Sequence, residues 1–324
     1  MRIVITGGAG FLGTRLARKL LERGTLADTA GNTRLLRQLV LLDIVAATVT
    51  DPRVTAVAGD LADPAVIERV VTADTDSIFH LAAVVSGQAE AEFDTGMRVN
   101  VDATRALLER CRKLDRPPKF VFSSSLAVFG GQLPDPVPDD APLTPQTSYG
   151  AQKAIGELLV YDMTRKGYID GRSLRLPTVT VRPGKPNKAA SSFASGIIRE
   201  PLSGVDAACP VAPETKLWVT SPRRVIDNLI VGHDVGADRF GQTRSVNVPG
   251  MRVSVAEMVD ALRRVAGDAV AARAKWRIDP AIDKIVQTWP PNFAPQLGPA
   301  LGMAADTNFE DIVRAYISDD MPTA

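Results

Sequence analysis

The stretch Arg2-Ile3-Val4-Ile5-Thr6-Gly7-Gly8-Ala9-Gly10-Phe11-Leu12-Gly13 decides how this chain folds. Residues 2–6 are apolar and β-branched almost throughout, the composition of a strand buried on both faces. From Phe11 the apolar residues take a helical period, which predicts a helix over 11–23. Strand, glycine-rich turn and helix therefore follow one another in the order that a dinucleotide site requires. Gly7 can take the tight turn, Gly10 lets the backbone approach a pyrophosphate, and Gly13 lets the helix pack close to the strand. The helix start at Phe11 and Leu12 then offers N–H groups and a positive dipole end to the phosphates. The spacing is G-x-x-G-x-x-G rather than G-x-G-x-x-G, and its place directly after the first strand is what gives it weight.

Outward from that turn, short apolar runs alternate with helical stretches. Strands are expected at Arg2–Thr6, Gln38–Asp43, Arg53–Ala58, Ser77–His80, Lys119–Ser123 and Arg172–Leu176, with helices near 11–23, 64–72, 93–114 and 147–166. Such alternation predicts an α/β doubly wound parallel sheet, a Rossmann fold. After about residue 177 proline and glycine become frequent, and helices are expected near 191–199, 222–235 and 255–266. This predicts a dinucleotide-binding domain over 1–177 and a smaller substrate-binding lobe over 178–324, with some segments free to return to the sheet. The polar stretch 25–37 reads as a surface excursion.

Composition narrows the class. With 324 residues, 45% hydrophobic and 23% charged, the chain can bury a core without staples. The 38 Lys+Arg nearly cancel the 37 Asp+Glu, so no global field points to nucleic acid or an anionic membrane. Cys111 and Cys209 have no metal-like spacing and read as reduced thiols. No apolar run reaches the ~18 residues of a membrane span, and the first strand leaves no room for a signal peptide. A cytoplasmic protein is expected.

Asp43 ends the second strand, where a carboxylate can accept both hydroxyls of an adenosine ribose and would repel a 2′-phosphate. That favours NAD over NADP. Asp60 and Leu61 follow the third strand, where carboxylate and amide could meet the adenine; the alternative is a turn or capping aspartate. Tyr149 and Lys153 lie four apart in the expected helix over 147–166, which makes phenol and ammonium neighbours on one face. A free phenol titrates near ~10, too high for a base at neutral pH. A nearby ammonium and an oxidised nicotinamide would both lower that value, so the phenolate could accept an alcohol's proton as hydride leaves the same carbon. Ser123, Ser124 and Ser125 end the fifth strand, where ligands sit in such sheets. The residues alone leave open which of the three holds the substrate oxygen.

Taken together, the glycine turn, His80-Leu81-Ala82-Ala83, Asn100, the serine run with Val128-Phe129-Gly130, and Tyr149-Gly150-x-x-Lys153 resemble the extended short-chain dehydrogenase/reductase family, which includes nucleotide-sugar epimerases and dehydratases. The resemblance implies that Tyr149 is the general acid/base and that Lys153 holds the nicotinamide ribose and lowers the phenol's pKa. It makes Ser125 the serine that polarises the substrate oxygen. Leu81 and Ala82 would line the cofactor cleft, and Asn100 would support the site. It also implies a homodimer paired through the helices near 93–114 and 147–166.

Thr178 and the run Arg182-Pro183-Gly184-Lys185-Pro186-Asn187-Lys188 follow the sixth strand, on the side where nicotinamide and substrate must meet. Arg182, Lys185 and Lys188 form a local cationic patch, and a guanidinium suits bidentate capture of a carboxylate. Arg223, in the first turn of the helix expected near 222–235, either faces the cleft or stands exposed. These runs look like the branch of the family that oxidises D-erythronate, a four-carbon sugar acid, at carbon 2. A small sugar-acid substrate is therefore expected. A nucleotide-sugar epimerase with tightly held NAD is the alternative, and a catalytically silent cofactor sensor is a third reading that the presence of both Tyr149 and Lys153 disfavours.

Overall fold

Among the strands, those that build the main sheet and the ladder beside it are Arg2–Thr6 (β1), Gln38–Asp43 (β2), Val54–Ala58 (β3), Thr75–His80 (β4), Lys119–Ser125 (β5), Asp170–Leu176 (β6), Thr178–Val179 (β7), Lys216–Thr220 (β8), Ser245–Asn247 (β9) and Met251–Ser254 (β10). Seven of them build one parallel sheet in the order β3-β2-β1-β4-β5-β6-β9. The computed structural model describes residues 1–184 and 191–321. The expected doubly wound α/β sheet is present.

Its layers follow from alternation within strands. Ile3 and Ile5 face one side, with Leu16, Leu20, Val225 and Leu229. Val4 faces the other, with Val40, Ile78, Leu107, Phe120, Phe122 and Val160. The covering helices are Phe11–Arg23 (α1), Pro64–Val70 (α2), Ala103–Arg112 (α3), Ser148–Arg165 (α4) and, on the first face, the later Pro222–Asp234; a helix at Ser192–Leu202 (α5) belongs to the lobe, so Pro222–Asp234 is α6. Ser221 caps α6 by accepting the Arg224 N–H, and Pro222 takes the first helical position, as the sequence predicts.

The register places the functional edge. Thr6 lies opposite Leu42 and His80, His80 opposite Phe122, and Ser125 opposite Leu176. The carboxyl ends of β1, β2, β4, β5 and β6 thus form one rim. Beyond 177 the chain builds a second core from Ile197, Ile198, Leu217, Val219, Val255, Leu262, Phe309 and Val313, using Val255–Ala266 (α7) and Phe309–Asp319 (α8). It also sends β9 back to the main sheet beside β6.

Two expectations change. The helix expected over 93–114 is interrupted: Phe93–Gly96 is α-helical, Met97–Asp102 is a π turn, and α3 follows. The stretch 25–37 contains a small antiparallel hairpin, Thr25–Ala27 with Thr33–Leu35, tied down where the Asp234 carboxylate accepts the Ala27 N–H at 3.0 Å. No helix among the described residues is long and apolar enough to cross a membrane.

Candidate active site

Sterics make the glycine turn obligatory. Gly7 has φ 73°, and a Cβ there would meet Ala82 N at 2.8 Å. A Cβ on Gly13 would stand 2.0 Å from Gly7 O, so only glycine lets α1 start this close to the strand. Gly10 occupies the N-cap of α1 with no side-chain cap bond, leaving the amides at Phe11 and Leu12 facing the turn's mouth. Phe11 itself carries the Arg15 guanidinium over its ring at 5.1 Å. Asp43 closes the same pocket from β2: its carboxylate accepts the Ala9 N–H at 3.0 Å and the Ile44 N–H at 2.8 Å. From β4, Leu81 N donates to Thr6 O at 3.1 Å and Ala82 N to Thr6 Oγ1 at 3.3 Å, which lays both residues along the turn. Thr6 Oγ1 also meets His80 Nδ1 at 2.6 Å, and His80 Nε2 meets Thr104 Oγ1 at 2.8 Å. Burial, helped by the Lys153 charge, pushes His80 down to about 3, so it is a neutral bracing group.

Asp60 lies at the start of the turn after β3. Its carboxylate accepts the Ala62 N–H at 2.9 Å and pairs with Arg98 at 2.6 Å, and these bonds, the amide first, hold it below the usual range. Leu61 is buried in the core beneath. These bonds fix the carboxylate at the end of β3.

The three serines separate by what they touch. Ser123 Oγ donates to His80 O at 3.0 Å and Ser124 Oγ to Glu157 at 2.5 Å, both buried. Ser125 accepts the Ala127 N–H at 3.1 Å, and its hydroxyl acts on the Tyr149 phenol, holding its pKa down. Ser125 is the serine beside the phenol. Tyr149 and Lys153 share a face of α4, whose cap Thr147 accepts the Gly150 N–H. A Cβ at Gly150 would lie 2.1 Å from Ala127 O, so glycine allows the helix start to sit against the serine turn. Lys153 Nζ stands 5.6 Å from the Tyr149 ring centroid, 4.8 Å from that of Phe122, and donates to Ser123 O at 2.8 Å. Burial pushes the Lys153 ammonium down to about 7, with Glu157 opposing. Burial pushes Tyr149 up to about 12, opposed first by the Arg182 charge and then by Ser125. Arg182 thus joins Lys153 among the cations near the phenol.

Arg182 is anchored by its backbone. Its N–H donates to Ser195 Oγ at 3.0 Å and its carbonyl accepts from Arg199 at 2.8 Å, while the guanidinium reaches Ser191 at 3.5 Å. Thr178 pairs with Val219 in the short β7–β8 ladder just upstream. Lys185 and Lys188 lie outside the described residues. Arg223 does not join this group: its guanidinium binds Asp319 and Ser318 at the end of α8, because the first turn of α6 points its exposed face that way. Asn100, on the π turn, accepts the Val84 N–H at 2.8 Å and donates to Val84 O and to Gln152 Oε1 at 2.7 Å, which braces the loop after β4 against α4. Sequence reasoning missed Gln152, Glu157, Arg175 and Asn247. Glu157 alone carried a signal, four residues beyond Lys153 on the same face.

A glycine cradle that any side chain would fill, uncapped amides and a fixed carboxylate at the β2 end suit an adenine dinucleotide without a 2′-phosphate. The rim beyond holds a phenol, a hydroxyl and a guanidinium together, a set that can bind a carboxylate and move a hydroxyl proton.

Residues 3–218 match the model of the NAD dependent epimerase/dehydratase family. The chain is 57% identical to D-erythronate dehydrogenase of Cupriavidus necator, across 98% of each. It is 45% identical to D-erythronate dehydrogenase of Haemophilus influenzae, across 99% of this chain and all of that one. Among solved structures, a nucleoside-diphosphate-sugar epimerase from Agrobacterium tumefaciens superposes with a TM-score of 0.93 at 40% identity, covering 99% of this chain and 94% of that one.

Proposed function

The chain belongs to the NAD dependent epimerase/dehydratase family, and from that premise we propose that it is an NAD-dependent dehydrogenase that oxidises D-erythronate to the 2-oxo acid. The observation that carries the reading is the Tyr149–Ser125–Arg182 group: a hydroxy acid needs one partner for its alcohol and one for its carboxylate at a single point. NAD, when bound on the glycine turn with its ribose at Asp43, supplies the hydride acceptor. Arg182 pairs with the substrate carboxylate. Ser125 holds the alcohol oxygen, and Tyr149 accepts the hydroxyl proton. Lys153 orders the site between Tyr149 and β5. Gly7, Gly10, Phe11, Leu12 and Gly13 hold the pyrophosphate, Asp60 and Leu61 face the adenine, Leu81 and Ala82 line the cleft, and Asn100 and Thr178 complete the cofactor site.

Mixing the protein with NAD and D-erythronate raises the absorbance of reduced cofactor. Silence across a panel of four- and five-carbon sugar acids would overturn the reading. The name of the 40%-identical Agrobacterium structure favours a second one, a nucleotide-sugar epimerase. Such an enzyme turns over with the NAD it carries, so a demand for stoichiometric added NAD decides against it. The higher identities lie with the dehydrogenases.

The enzyme acts as a cytoplasmic homodimer in this proposal. Two free thiols suit a reducing compartment. Phe93, Ile155 and Leu158 stand exposed on the helices that such a pairing would use.

A further inference from the structure

Behind Lys153 lies a buried polar chain that the proposed chemistry does not use. Ser124, Glu157, Arg175 and Asn247 are all nearly inaccessible to solvent. Arg175 grips Glu157 with Nε at 2.9 and 3.1 Å and Nη2 at 2.7 Å. Its Nη1 reaches Asn247 Oδ1 on β9 at 3.2 Å, and its guanidinium covers the Phe129 ring at 4.9 Å. Burying such charges is costly, and a partner left alone costs more. The arrangement therefore calls for a reason beyond packing.

The reason lies in what surrounds Lys153. Among the described residues its hydrogen-bond acceptor is a neutral carbonyl, Ser123 O, and the rings beside it are Phe122 and Tyr149. From β4, the His80 facing it is neutral. From β6, Arg175 is a second cation, joined to Glu157. From the loop after β7, Arg182 is a third, acting on Tyr149. Among the described residues the carboxylate acting on the ammonium is Glu157, one helical turn along α4. Adjacent residues of β5 hold the two: the Ser123 carbonyl takes the ammonium, and the Ser124 hydroxyl takes the carboxylate.

We infer that Glu157 is a positioning residue that keeps Lys153 charged and docked on β5, with Ser124 and Arg175 fixing the carboxylate for that task. Arg175 aligns Glu157 without a second carboxylate, and Asn247 brings the edge strand of the sheet into the same support. The inference rests on the function proposed above only in that Lys153 serves the reaction. The placement of Glu157 stands apart from the substrate.

The test is the titration of the Lys153 ammonium itself, followed by ¹⁵N NMR of lysine-labelled protein and assigned with Lys153→Arg. Glu157→Gln lowers the midpoint by about one pH unit or more, the size of effect expected on losing a close opposite charge. Because that variant leaves Arg175 unpaired and can fail to fold, Glu157→Gln/Arg175→Met is measured beside it. The double variant lowers the midpoint by less, and Ser124→Ala, which only loosens the carboxylate, by least. Glu157→Asp restores much of the wild-type value. In turnover with NAD and D-erythronate, the alkaline limb of kcat moves down in the same order. A midpoint unmoved in the folded double variant and in Ser124→Ala, or a loss of activity with no shift in the limb, overturns the inference. A shifted midpoint in a protein that never reduces NAD leaves it standing and defeats the substrate reading instead.

Discussion

At Tyr149 burial and charge pull in opposite directions: burial drives the phenol up to about 12, and Arg182 and Ser125 pull it back. Removing the hydroxyl with Tyr149→Phe lowers kcat by roughly 10²–10⁴-fold, the usual worth of a placed acid/base. NAD affinity, measured by calorimetry, stays within a fewfold, and a variant of near-normal kcat would exclude Tyr149 as the base. Arg182→Met acts twice. Losing a charged hydrogen bond to the carboxylate raises the sugar-acid KM by about 10–100-fold. Losing a cation beside the phenol also raises its pKa, so the acidic limb of the pH–rate profile moves to higher pH. An unchanged limb would separate Arg182 from Tyr149. Much of this was legible in the sequence, because glycine spacing and a Tyr-x-x-x-Lys pair report local geometry. The choice among three serines was not. It depends on which face of β5 each side chain takes against α4 and β4, and only the folded chain sets that.

Among elements, the strands up to Leu176 lie within a few residues of their expected places, most plainly those covered on both faces, where a strand is apolar at nearly every position. The hairpin at 25–35 was hidden because the residues of its second strand are exposed and carry no apolar signal. The π turn was hidden because Met97–Asp102 keeps helical composition while Asn100 is diverted to Val84 and Gln152. The region beyond 268 carried no readable motif. Its Phe293 packs at 5.8 Å on Phe129 and 5.7 Å on Trp218, behind the serine turn, a long-range contact without local periodicity. On α4 the face away from the sheet presents Leu158 at 62% exposure. If the protein pairs as proposed, a charge there, Leu158→Glu, converts dimer to monomer in sedimentation velocity while leaving the circular dichroism spectrum intact. A wild-type protein already monomeric at micromolar concentration would remove the proposed interface.

For the whole molecule, positive and negative side chains nearly balance, so buried titrating groups set the acid limit. Burial pushes His80 down to about 3 and His233 to about 4, each from an ordinary 6.5. Below 6.5 the unfolded chain takes up protons that the folded one refuses, so stability is lost as pH falls from 6.5 toward 4. Each unit of difference is worth about 1.4 kcal/mol per group. Urea midpoints at pH 7.5, 6 and 5 therefore fall in sequence. His233→Gln, which can still bond Ser77, flattens the decline, and an equal decline in that variant would acquit this histidine.

The edge strand β9 has a consequence for synthesis. Its partner β6 is complete at Leu176, but Ser245 arrives about seventy residues later. At ~5–20 residues per second the ribosome leaves that flank of the sheet bare for several seconds. Over that interval Arg175 also waits for Asn247, so the nascent chain exposes a sticky ladder and an unfinished polar cluster together. A truncated product ending at 177 would keep both defects permanently and accumulate as aggregate. Its recovery as a monodisperse, nucleotide-binding fragment would show that the late strand is dispensable.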